Sequence, residues 1–379
     1  MPSINMQQCF ARNEKLKHYP KVSIDSIPSK FQLMISSTSN IFGKCLFVFI
    51  MLIMNFVHCR HLLHISLDSV FTVKIRGLTH FLKDNWLPII FYLRYNHNLM
   101  RQIDDHWNRL QIDYDYETRK YFWTRKAFNR WILNVLVILS FIISYCYGFY
   151  KMYYYTDGDK LTSELNFKQN SISITIVWLF GSILYFVHFC KLCIYIDLVI
   201  LAQTAVQFNL IKLKKLLNES TKDGKSLNIN DIQNIRHKYL LSCRLVDKID
   251  EIISLDLLFK FTDFVINSFD LSYTLLYTEQ NRWDKCNKII HHTIGLIYTV
   301  FYTHATLKIH DQSLESLAIV YKLSLKTNSI RLLNEISLFF NHNEIGFTFG
   351  GMFMLTTSSL STLFSMLVTI VFASPSFVS

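Results

Sequence analysis

The stretch Ile172-Ser-Ile-Thr-Ile-Val-Trp-Leu-Phe-Gly-Ser-Ile-Leu-Tyr-Phe-Val-His-Phe-Cys-Lys-Leu-Cys-Ile-Tyr-Ile-Asp-Leu-Val-Ile-Leu201 is apolar over most of its length. Crossing a hydrocarbon layer as a helix takes about 20 such residues. Comparable blocks occur over 41–58, 70–93, 131–153, 255–277, 289–307 and 346–373, so the sequence predicts seven spans. The block at 70–93 is interrupted by Lys74, Arg76, His80 and Lys83, and its apolar end, Trp86 to Leu93, is what marks it. Composition agrees: 51% of the 379 residues are hydrophobic and 18% charged, against about 25% charged in soluble domains. Gly and Pro are scarce (10 and 5), which leaves little room for long irregular regions. The expected fold class is an all-α integral membrane protein.

The basic residues give the spans a direction. Of the 39 Lys and Arg, 26 fall in 1–40, 94–130, 202–252 and 308–345, and 7 fall in the alternate connections or at a span end beside them. Basic residues collect in cytoplasmic loops, so the N-terminus is expected in the cytosol and the C-terminus outside the cell. The net charge of +11 is read the same way, as topology and not as a nucleic-acid-binding surface. Residues 1–40, with Pro2, Pro20 and Pro28, read as a cytosolic segment without a cleavable signal, and 41–58 as a signal anchor.

Three spans outrun the membrane. Helical spacing continues past 201 through Val206, Leu210, Leu213 and Leu217. It returns through Ile232, Ile235, Tyr239, Ser242, Leu245, Ile249 and Ile252. With the mixed apolar and basic segment 317–340, these stripes predict a cytosolic helical bundle continuous with the spans, broken over 218–230 at Asp223-Gly224. The sequon Asn218-Glu219-Ser220 is then on the cytosolic side and unused. The eight cysteines form no secreted framework, and Cys190 and Cys193 read as small buried hydrophobes.

Signals for catalysis, a metal or a cofactor are missing: there is no phosphate loop, no zincin motif and no nucleophile elbow. His291 and His292 point about 100° apart on a helix and do not suit joint ligation. Within the spans, Lys191 and Lys260 read as snorkelling side chains, and Asp263, Asn267 and Asp270 share one helical stripe. Arg76, His80, Tyr145, Trp178, Tyr185, Asn267, Asp270, Tyr273, Tyr298 and Tyr302 form a candidate outward-facing pocket for a small ligand, with Lys74 and Tyr147 near it. The competing reading makes the aromatics an interfacial belt and pairs Asp270 with Arg76.

The final residues bring in a resemblance. Insect gustatory receptors end in a seventh helix carrying Thr-Tyr, five apolar residues and Gln-Phe. Here Thr369-Ile-Val-Phe-Ala-Ser-Pro-Ser-Phe377 keeps the outer Thr and Phe, with Ile370 and Ser376 in place of Tyr and Gln and Pro375 just before the end. Ile336 to His342, Ile345 to Phe353, and Gln207 to Asn218 also resemble that family. The resemblance implies a seven-transmembrane chemoreceptor domain over 41–379 that forms a ligand-gated, non-selective cation channel. It implies a tetramer, homomeric or with related subunits, in which the extensions of spans 4–6 form an anchor. Span 7 would line the pore, with Ser365, Thr369, Phe372, Ser376 and Phe377 as pore and gate residues and a small extracellular tastant as ligand. Thr356, Thr357, Ser358, Ser359, Ser361 and Thr362 add small hydroxyl groups to that span. A metabotropic seven-helix receptor, a transporter or a non-conducting accessory subunit are the alternatives. The reversed topology and the lack of Asp-Arg-Tyr and Asn-Pro-x-x-Tyr motifs weigh against the first.

Overall fold

A computed structural model describes residues 19–22, 24, 28, 32–68, 74, 77–78, 81–155, 163–222, 227–277, 282–340 and 344–373. The main elements are α1 (Ile41–Asp68), α2 (Leu87–Arg94), α3 (His97–Leu110), α4 (Tyr116–Tyr155), α5 (Ser163–Lys222), α6 (Ile229–Tyr277), α7 (Arg282–Ser324), α8 (Ile330–Phe340), β1 (Thr348–Phe349), β2 (Phe353–Met354) and α9 (Thr357–Ala373). Helices α5, α6 and α7 have 60, 49 and 43 residues. At 1.5 Å per residue each is at least twice the roughly 30 Å of a hydrocarbon core. They therefore continue as a bundle beyond it, which α8 joins by packing on α6 and α7.

Helix α5 is the hub. It packs against α4, α6 and α7, and an apolar 18-residue window within Phe186–Thr221 is 94% buried inside the protein. A helix that is apolar on every face belongs in a core. The opposite holds for α4, where an apolar 18-residue window within Tyr116–Ile143 is only 22% buried. Its Phe128, Trp131, Val135, Ile138, Ile142 and Tyr145 form one exposed stripe at helical spacing. On α1 the exposed residues are Phe42, Val48, Phe49, Leu52 and Phe56, while Phe47, Met51 and Met54 face the bundle. Water does not tolerate apolar stripes of this length, whereas lipid covers them at no cost.

Several expectations are corrected. The connection 94–130 is helical: α3 lies within it, and α4 starts at Tyr116, well before residue 131. Asn96 caps α3 by accepting a hydrogen bond from the Leu99 N–H at 2.9 Å. Leu99, Met100, Ile103, Trp107 and Leu110 bury its apolar face, and α3 packs on α6. Asn96→Ala is expected to cost about 1 kcal/mol. Thermal unfolding of the purified protein would show it, with no shift for the exposed Asn108→Ala.

In the block 70–93, a π turn (Leu82–Trp86) runs into α2, with Pro88 in its first turn. Pro88 cannot donate to the carbonyl four residues back, and a π turn next to it is one way a helix absorbs that loss. Residues 1–40, where they are described, pack against the helices. Val22, Ile24 and Ile35 are buried, and Trp123 donates its indole N–H to the Pro20 carbonyl at 2.9 Å. The short 3-10 helix Gln32–Ile35 packs on α5. The break after α5 runs from Lys222 to Ile229, and Asp223-Gly224 lies outside the described residues.

The largest correction concerns 346–373. Helix α9 begins only at Thr357, and β1 and β2 pair antiparallel before it, Thr348 with Met354 and Phe349 with Phe353. Gly350 (φ 60°) and Gly351 (φ 78°) make the turn, in a region where glycine carries no Cβ penalty.

Candidate pore helix and the polar core behind it

Helix α9 starts with a reciprocal cap. The Ser359 N–H donates to Thr356 Oγ1 at 3.0 Å, and the Thr356 N–H donates to Ser359 Oγ at 2.8 Å. This arrangement satisfies donors that a helix start leaves open. One face of α9, with Leu360, Leu363 and Phe364, turns toward the bundle. The Phe364 ring lies 6.1 Å from Phe261 and 6.0 Å from Phe264, both on α6. The other face leaves Ser358, Ser361, Thr362, Ser365 and Thr369 exposed. Thr362 and Thr369 donate to the carbonyls of Ser358 and Ser365 at 3.0 and 2.9 Å. Their hydroxyls are thus satisfied within the helix, and each oxygen keeps lone pairs free to accept.

The hairpin joins α9 to α6. Asp250 accepts the Thr348 N–H at 2.9 Å and also the Thr348 hydroxyl. The Gly350 N–H donates to the Ser254 carbonyl at 2.9 Å, and Phe349 is buried with its ring 5.7 Å from Phe261. Burial pushes the Asp250 carboxyl above the usual carboxylate range, against the two Thr348 hydrogen bonds that favour its charged form. Just before the hairpin, the Ile345 N–H donates to Ser313 Oγ at 3.0 Å. Ser313 in turn meets the Tyr239 hydroxyl at 3.1 Å, and burial raises the pKa of that phenol.

A few residues further along α6, Asp256 meets Lys191 of α5 at 2.8 Å, with side chains 0% and 4% exposed. Lys260 stands 4.0 Å from the second Asp256 oxygen and 5.2 Å over the Tyr302 ring. Lys191 therefore does not snorkel. Tyr195 lies 6.5 Å from Tyr302 and 5.2 Å from Phe91, closing the cluster. The Tyr302 hydroxyl is buried without a hydrogen-bond partner among the described residues.

This arrangement separates the residues of the expected pocket. Tyr302 belongs to the Lys260 layer, about 15 Å along α6 from Asp270 at 1.5 Å per residue. Asp270 pairs with Lys288 of α7 at 3.5 Å, and Lys288 also donates to Thr274 at 2.8 Å. His292 stacks on Phe264 at 5.4 Å and meets Ser268 at 3.3 Å. Asn267 and Tyr298 are half-buried, and Tyr298 packs against the core. Tyr145 is exposed and stacked with Phe141 on the outward stripe of α4. Arg76, His80, Ser376 and Phe377 lie outside the described residues, as do the side chains of Trp178, Tyr185, Tyr273 and Phe372. Cys190 and Cys193 are buried free thiols, and no group of His, Cys, Asp and Glu among the described residues could hold a metal ion.

The model of the 7tm chemosensory receptor family matches residues 87–372, from the start of α2 to the last turn of α9. The chain belongs to that family. The receptor is accordingly a multi-pass membrane protein and not an enzyme. Its fold is similar to that of the insect olfactory receptor OR5 from Machilis hrabei. The structure of that protein in complex with eugenol superposes with a TM-score of 0.68 at 12% identity, covering 92% of this chain and 96% of that one. A second OR5 structure gives 0.62 at 11%, covering 88% and 89%. No curated protein matches the receptor in sequence.

Sequence reading did not single out Asp256 and Asp250, because their partners Lys191 and Thr348 lie far away in sequence. For Asp250 the spacing along α6 holds the signal that was available. Asp250, Ser254, Leu257, Phe261 and Phe264 recur every three or four residues on α6, which is the face that carries the hairpin and α9.

Proposed function

We propose that the receptor is a subunit of a ligand-gated, non-selective cation channel opened by a small extracellular tastant. Helix α9 lines the pore, the N-terminus is cytosolic and the C-terminus extracellular, and four subunits, alike or related, surround the axis. The observation that carries this reading is the α9 face of Ser358, Ser361, Thr362, Ser365 and Thr369, which its own subunit leaves uncovered. Small hydroxyl groups without net charge suit a helix that faces water and neighbouring copies in a membrane. Thr369, Phe372, Ser376 and Phe377 stand at the narrow end of this pore. The hairpin passes motion between α6 and α9, since it is tied to Asp250 and Ser254 while Phe364 rests on Phe261 and Phe264.

The ligand enters between α6 and α7 at the Asp270 end, near His292 and Ser268, and Arg76, His80, Trp178, Tyr185, Asn267 and Tyr273 are the further candidates for its pocket. The replacement of the motif Tyr and Gln by Ile370 and Ser376 favours a subunit that conducts together with a related one.

Expression in a cell without endogenous receptors, alone and with related subunits, tests this. A panel of sugars and bitter compounds is expected to evoke a cation current within milliseconds to seconds that does not depend on G proteins. No current under any combination, or tags showing a cytosolic C-terminus in intact cells, would overturn it.

A further inference from the structure

Helices α4 and α7 run antiparallel, and their register brings two cations together. The Gln312 amide of α7 reaches the Tyr121 hydroxyl of α4 at 3.5 Å. One turn along each helix, away from that contact and in opposite chain directions, stand Arg125 and Lys308. Arg125 lies 5.6 Å from the centre of the Tyr121 ring, and the charge that bears on Lys308 is that of Arg125. Both side chains are half-buried. Among the described residues neither has a carboxylate partner within 4 Å. The acids next along α7 are the exposed Asp311 and Glu315, and Glu315 is engaged by Lys214 at 2.6 Å. Two half-buried cations side by side repel each other, and an anion between them removes that cost.

The level of the pair says which anion fits. The exposed apolar stripe of α4 begins at Phe128 and Trp131, 51% and 63% exposed, directly after Arg125. On α7 the exposed apolar residues Ile289, Ile290, Ile297 and Val300 precede Lys308, and beyond it only Leu314 and Tyr321 stand exposed among charged neighbours. The dense run of exposed apolar residues on each helix thus ends near the cation pair, and aromatic residues such as Trp131 mark such an edge. The geometry points to a headgroup site: Arg125 and Lys308 bind the phosphate of an anionic phospholipid whose chains lie along Phe128 and Trp131. In the orientation proposed above this is the cytosolic leaflet, which is where anionic lipids concentrate. The site itself needs neither that orientation nor channel activity.

Binding is measured by native mass spectrometry on the full-length receptor in detergent, with phosphatidylserine, phosphatidylcholine or inorganic phosphate added. The receptor is expected to bind phosphatidylserine at least tenfold more tightly than phosphatidylcholine. The double variant Arg125→Gln with Lys308→Gln is expected to lose that preference. Arg125→Lys with Lys308→Arg keeps both charges and is expected to retain it, as is the double surface variant Lys120→Gln with Lys322→Gln, which removes the same net charge. Should the neutral double variant not fold, Lys308→Gln alone is expected to weaken phosphatidylserine binding several-fold. Equal binding of the two lipids, an unchanged neutral variant, or an equal loss in the surface variant would overturn the site. Inorganic phosphate displacing phosphatidylserine at equal concentration would overturn the lipid as occupant. None of these readouts involves current, so failure here is distinct from failure of the channel reading.

Discussion

Replacing Lys191 by Met is expected to destabilise the receptor by about 3–5 kcal/mol, because it strands the buried Asp256 carboxylate. Asp256 is fully buried and meets Lys191 at 2.8 Å, whereas Lys260 stands at 4.0 Å with its side chain 28% exposed. Lys260 can attract the carboxylate but makes no hydrogen bond to it. A charge left alone in such a place costs several kcal/mol, far above the 1 kcal/mol or less that an exposed ion pair contributes. Removing both partners together, Lys191→Met with Asp256→Leu, is expected to recover much of the loss, since a packed apolar pair often matches a buried ion pair. Lys260→Met alone is expected to cost less than Lys191→Met. Thermal unfolding in detergent and cell-surface abundance would rank the three. If Lys191→Met were as stable as the parent, Asp256 would be uncharged in the folded protein and the cluster would not be an ion pair.

The second large effect is expected at Gly350. Its backbone has φ 60°, and a Cβ there would lie 2.8 Å from Leu258 Cδ2. The left-handed conformation costs an L-residue about 1–2 kcal/mol, and forcing atoms into packed space adds about 1–3 kcal/mol. Gly350→Ala should therefore loosen the hairpin from α6, break the Ser254 contact, and weaken whatever coupling passes to α9. Gly351 supplies the control. Its φ is 78°, but a Cβ would meet nothing within 4 Å, so Gly351→Ala should carry only the conformational cost. Unfolding midpoints and limited proteolysis near 345–356 measure both. Equal effects would mean that close packing against Leu258 does not hold the hairpin.

These two sites mark where sequence reading succeeded and where it stopped. Spans and extensions were legible because α5, α6 and α7 keep one periodicity across membrane and bundle, as Leu210, Leu213, Tyr239, Leu245 and Ile249 show by being buried. The α9 hydroxyls were legible because small polar residues inside an apolar block are conspicuous. The Lys191–Asp256 pair was not, because a contact between residues 65 apart in sequence leaves no local pattern. Lys191 alone looks like any long side chain near a span end. The hairpin was hidden by hydropathy, since Phe347, Phe349 and Leu355 are apolar enough to pass for helix. Only Gly350-Gly351 signalled a turn. Helix α3 is too polar to stand out by hydropathy, although Asn96 and the spacing of Leu99, Ile103, Trp107 and Leu110 mark a capped amphipathic helix.

The central claim is that α9 lines a ligand-gated pore, and thiol accessibility tests it most directly. Cysteine is placed singly at Ser361, Ser365, Thr369 and Leu363, and current is recorded while a charged methanethiosulfonate reagent is applied with ligand. Block at Ser361→Cys, Ser365→Cys and Thr369→Cys, with Leu363→Cys unaffected, is the predicted result. Block at Leu363→Cys alone, or ligand-evoked current insensitive to reagent at all four positions, would contradict it.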